Sequence, residues 1–142
     1  MIQVALCKYL AAQGHGTHGV AGSSLTVEQL PTSPLNAACV AMKTAPPGDY
    51  GDQKTEGIQI IVRGDKAAGR KPSYDRAVAI RDQLHGLRKI TLDDGGADET
   101  RLLWMRSDGD TPVNLGDDAN GNPRWSLRFL AGVFVVTANT IL

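Results

Sequence analysis

Apolar and polar positions alternate most regularly between Gly57 and Leu92, GIQIIVRGDKAAGRKPSYDRAVAIRDQLHGLRKITL, and the rest of the chain can be placed around that stretch. Ile58, Ile60 and Val62 alternate with Gln59, Ile61 and Arg63, the period-2 pattern of a strand with one wholly apolar face. Gly64 to Pro72 carries Lys66, Arg70 and Lys71 among small residues, which predicts an exposed basic loop with Arg63 at its entrance. Ser73 is placed to cap a helix, because its hydroxyl can accept from an orphan N–H of the first turn. Ala77, Ile80, Leu84 and Leu87 then share one helical face, and Gly86 is positioned to end the helix in the left-handed conformation. A short strand runs on to Leu92. Such a unit must bury its apolar sides against a sheet.

The flanking segments extend the pattern. Residues 2–13 suit an amphipathic helix with Ile2, Leu6, Tyr9 and Leu10 on one face, Gln3, Lys8 and Gln13 elsewhere, and Gly14 as its stop. The glycine-rich HGTHGVAGSS reads as a loop. Ser24–Gln29 and Asn36–Met42 are predicted strands, punctuated by Pro34, Pro46 and Pro47. Ala45–Glu56, with Asp49, Tyr50, Asp52 and Lys54, reads as a long exposed contact arm that orders at an interface. Arg101–Arg106 is a strand and Val113–Gly116 a brief extension. Asn120-Gly121 in DDANGNP marks a hairpin. Arg124–Thr137 is a long strand with Trp125, Leu127, Phe129, Ala131, Val133 and Val135 on one face. Its other face bears Ser126, Arg128, Leu130, Gly132, Phe134 and Val136 and turns apolar only in its second half, which predicts a cover there from the chain itself or a neighbouring subunit. The expected fold is a single α/β (α+β) domain over residues 1–142, a mixed or antiparallel sheet with two main helices packed on it.

Composition narrows the function. Fifteen basic residues balance fifteen acidic ones, so no bulk attraction to nucleic acid or membrane is implied. No apolar run approaches the ~20 residues of a membrane helix. Val4-Ala5-Leu6-Cys7 looks like a lipobox but lacks a charged leader and a sufficient apolar stretch, so a cytoplasmic origin is expected. Cys7 and Cys39 sit among apolar residues and read as buried free thiols. His15 and His18 in HGTH, with His85, invite a metal-dependent hydrolase reading. A glycine-rich loop cannot pre-orient two ligands, however, and His85 beside Gly86 is accounted for by the helix C-terminus. Asp117, Asp118 and Asn120 resemble part of a calcium loop, but Arg128 or Phe129 occupies the position that needs a bidentate glutamate. No phosphate-binding glycine motif and no nucleophile elbow are present. No catalytic residue, cofactor or metal is expected.

The ordered segments TVEQLPTSPLNAACVAM, GIQIIVRG, SYDRAVAIRDQLHGL and LGDDANGNPRWSLRFLAGV, behind a glycine-ended N-terminal helix, resemble the phage tail terminator family, also described as phage minor capsid proteins. The TANTIL tail and the long basic loop depart from that pattern. The resemblance implies a structural virion protein of the head–tail junction. It implies a homo-oligomeric ring, generally a hexamer, on the last ring of the tail tube. That ring stops tube polymerisation, docks the neck or head-completion protein, and lets DNA pass without sequence-specific contact; no membrane is involved. Candidate docking residues are Arg63, Lys66, Arg70, Lys71, Asp49, Tyr50, Asp52, Lys54, Arg128 and Phe134. A different head–tail connector component is the nearest alternative.

Overall fold

The computed structural model describes residues 1–45, 53–109 and 111–134. Helix α1 (Ile2–Ala12) leads into β1 (Leu25–Val27), β2 (Ala37–Lys43) and β3 (Gln53–Arg63). Helix α2 (Lys71–Leu84) follows, then β4 (Arg88–Leu92), β5 (Thr100–Ser107), β6 (Val113–Asp117) and β7 (Pro123–Phe134). The seven strands form one sheet in the order β1-β2-β3-β7-β5-β4, with β6 also paired to β7. Only β1 and β2 run parallel; every other pairing is antiparallel. The α+β expectation holds.

The longest pairing, β3 with β7, matches Gln53 to Phe134 at one end and Arg63 to Arg124 at the other. Its register puts Ile58, Ile60 and Val62 beside Phe129, Leu127 and Trp125, so the alternation in the two strands meets on one face. Both helices lie on that face. Leu6 and Leu10 of α1, and Ala77, Ile80 and Leu84 of α2, join Val40, Ile58, Ile60, Leu127 and Phe129 in one core, all nearly inaccessible to solvent. Helix α1 packs on β1 and β2, yet its Lys8 Nζ donates to Asp93 at 2.9 Å beyond the far edge strand β4. The sheet is therefore curled enough to bring both edges to the same helix.

Several local expectations are corrected. Gln53–Glu56 is not loop but the start of β3, where partnership with Val133–Phe134 and their neighbours outweighs polar composition. Residues 46–52 of the expected arm lie outside the described residues. Helix α2 begins at Lys71, with Pro72 in its first turn, so Ser73 is not the cap. Its hydroxyl instead donates to Arg70 O at 2.9 Å and accepts from Trp125 Nε1 at 2.9 Å, tying the helix to β7. Leu87 falls beyond the helix, and Gly86, at φ +88°, makes the left-handed stop. Gln3 is buried because its amide donates to Glu28 Oε1 at 2.9 Å. The basic loop contains a short 3-10 turn, Lys66–Ala68, capped by Asp65.

On the second face of β7, Trp104 of β5 covers Gly132, while Leu130 and Phe134 stay partly exposed. A bulge between Leu102 and Trp104 lets both Leu102 and Met105 reach the core while Trp104 turns to the helix-free face opposite Gly132. A Cβ built at Gly132 would overlap the indole Nε1. Gly132→Ala is expected to expel Trp104 and destabilise the fold by about 2 kcal/mol. A lowered urea midpoint together with a red-shifted tryptophan emission would register it, whereas an unchanged midpoint would show that the indole is not held there.

Candidate assembly surface

The described residues anticipated as docking contacts divide among four places. At one end of the sheet the basic loop meets the β6–β7 turn. Asp118 Oδ1 accepts from Asn120 N and Asn122 N, both at 2.9 Å, which folds residues 118–122 into the hairpin connection rather than a calcium loop. Those amide bonds hold the Asp118 carboxyl below its ordinary value. Asn122 Oδ1 in turn accepts from Lys66 N at 3.1 Å, so turn and basic loop form one surface. Arg70 pairs with Asp117 at 3.2 Å and Lys71 with Asp75 at 2.7 Å. This end is consequently a mixed-charge surface rather than a purely positive one, and exposed pairs of this kind add little to stability.

Arg63 does not belong to that exposed cluster. Its side chain is 8% exposed and turns back toward the segment before β2. Nε donates to Leu35 O at 2.9 Å, and Nη2 donates to Pro34 O at 3.0 Å and to Pro31 O. The guanidinium therefore clamps a turn. A strand-end arginine looks exposed in sequence, and only the fold of residues 31–35 reveals its acceptors.

Lys54 and Phe134 sit at the opposite end of the β3–β7 pairing, ten residue steps or roughly 33 Å away. Lys54 pairs with Glu56 at 3.4 Å, and the Arg101 guanidinium lies 5.6 Å from the Phe134 ring centroid. Arg128 projects from the middle of the helix-free face. It lines a hollow of 290 Å³ with Lys43, Asp108 and Leu130, and Arg106 nearby sits 5.6 Å from the Trp104 ring. Asp49, Tyr50 and Asp52 lie outside the described residues.

Two features were not anticipated. Strand β6 is exposed along its length, with Val113 59% and Leu115 38% accessible. A cavity of 420 Å³ opens between the loop after α1, the start of α2 and the ends of β2 and β3. A glycine-rich loop opposite a basic one was the available signal for the cavity. Nothing in sequence joins the two.

The groups considered for chemistry are engaged separately. His15 Nε2 lies 3.1 Å from Gln83 Oε1, His18 Nδ1 lies 3.0 Å from Leu25 O, and His85 Nδ1 accepts from Ser107 N at 2.8 Å. Among the described residues no three His, Cys, Asp or Glu side chains converge as a metal site. Burial pushes the Cys7 thiol up to about 12, with the nearby Cys39 adding to the shift, and burial also raises Cys39. Both thiols stay protonated and unreactive at neutral pH. No helix among the described residues is long and apolar enough to cross a membrane.

Comparison with known proteins gives one family. A model described as "Bacteriophage tail terminator protein" matches residues 9–133, which takes in the last turn of α1 and all but the last residue of β7. Among solved structures, a chain from "Virion of native gene transfer agent (GTA) particle" is similar at 22% identity, over 77% of this chain and 78% of that one, with a TM-score of 0.49. No curated protein matches.

Proposed function

Since the chain belongs to the bacteriophage tail terminator family, we propose that it assembles as a homo-oligomeric ring, a hexamer, on the end of the tail tube. In this role it stops tube polymerisation and docks the tail to the neck protein of the capsid at the head–tail junction. DNA passes through the ring without sequence-specific contact, and the protein performs no catalysis. The observation that carries the reading is the extent of the family match, which runs from the last turn of α1 through α2 and into all seven strands.

The surfaces fit a subunit with several contact regions. The mixed-charge end at Lys66, Arg70 and Asp117 suits a polar docking contact, whose charged pairs set register and partner choice. The apolar side chains exposed on β6 suit a contact that excludes water. Lys71, Lys54, Arg128 and Phe134 remain proposed surface contacts, whereas Arg63 is recessed and clamps the turn before β2.

The test is to add the purified protein to polymerising tail-tube protein and image the product. Tubes of limited length ending in a ring are expected, with a hexamer mass for the cap. Tubes that grow uncapped and without limit would overturn the proposal. A ring bound only on the portal side would transfer the protein to the head–tail connectors.

A further inference from the structure

The 420 Å³ cavity is lined by two guanidiniums, Arg63 and Arg76, together with His15, Ser24 and Asn36. No carboxylate is among its described lining residues. Arg63, 8% exposed, donates among the described residues to the carbonyls of Pro31, Pro34 and Leu35. Arg76 Nη2 donates to His15 O at 2.9 Å, and desolvation lowers its pKa. Asp118, whose pKa Arg63 helps to lower, has its carboxylate committed to the Asn120 and Asn122 amides. Two largely desolvated cations thus face one space with neutral partners. An anion there would supply the opposite charge that these carbonyl partners lack.

The space beside Arg76 is kept open by Gly16. A Cβ there would lie 3.3 Å from Arg76 Nη2 and 2.5 Å from Ser24 Oγ. We propose that this cavity is a binding site for a carboxylate, an aspartate or glutamate side chain presented by a partner protein. The Arg76 guanidinium can match a carboxylate through paired, charge-assisted hydrogen bonds, and Arg63, whose Nε and Nη2 are committed to carbonyls, has Nη1 left to add one. A side chain on a protruding segment can reach the recessed Arg63, whereas a phosphate on the convex backbone of a duplex cannot.

The site gives the assembly role proposed above one partner-facing contact, and it can be tested without a ring. The backbone amide resonance of Gly16, which lies beside Arg76 in the cavity wall, is followed in the full chain while Ac-Gly-Glu-Gly-NH2, its glutamine counterpart or a short DNA duplex is added. A saturable shift with the glutamate peptide alone is expected. Arg76→Gln, which removes one charge-assisted contact, and separately Asn36→Asp, which places a like charge at the exposed rim, should each weaken it at least about tenfold. Asn36 is exposed, so that variant retains the fold and decides the matter if Arg76→Gln is unstable. Equal shifts with both peptides, no shift with either, or a shift with the duplex alone would overturn the assignment. Normal tube capping by Asn36→Asp, alongside lost peptide binding, would separate this site from the terminator role.

Discussion

Ile80→Asp should yield no folded protein. Ile80 has no solvent exposure and sits on the face of α2 that packs on the sheet, within a core that also holds Leu84, Ile60 and Phe129. An aspartate there loses the apolar contacts and must either bury an unpaired charge or be protonated at a cost. The combined penalty exceeds about 5 kcal/mol, comparable with the whole stability of a domain this size. Ala79→Asp, one position along and exposed, should cost under about 1 kcal/mol through helix propensity alone. Circular dichroism and urea unfolding of the pair would check both. A soluble, cooperatively folding Ile80→Asp protein would mean that α2 presents a different face to the sheet.

The second large effect is expected at Arg63. Arg63→Met keeps much of the side chain's bulk but removes the donors to Pro31, Pro34 and Leu35. The turn before β2 then loses its anchor, and three carbonyls must find water. A loss of about 3 kcal/mol is expected, read as a lowered urea midpoint at unchanged slope. Arg63→Lys should recover less than half of it, because one ammonium cannot span acceptors arranged for a planar fork. If Arg63→Met were as stable as the parent chain, the clamp would be refuted and the residue would return to the list of surface contacts.

These two residues show where sequence reading succeeded and where it stopped. Ile80 was legible because its neighbours at helical spacing, Ala77 and Leu84, report the same face. Arg63 ends a strand beside Gly64, Lys66, Arg70 and Lys71, and local context assigns it to an exposed basic loop. Its acceptors lie 28 to 32 residues earlier in the chain. The same distance problem hid the role of Ser73, read as a helix cap and found beneath Trp125, 52 positions away. It also concealed the pairing of Arg70 with Asp117, which turns a positive loop into a mixed-charge surface.

By itself the sequence determined the strands, the two helices, the faces they bury and the hairpin before β7, because these follow from side-chain period and from glycine and asparagine at turns. The tertiary structure alone decided the curl of the sheet, the bulge that sends Trp104 across Gly132, and the cavity that joins Arg63 to Arg76. Each of those depends on groups brought together from distant parts of the chain. Alternation fixes which way a side chain points, but what it meets there depends on how the sheet closes around it.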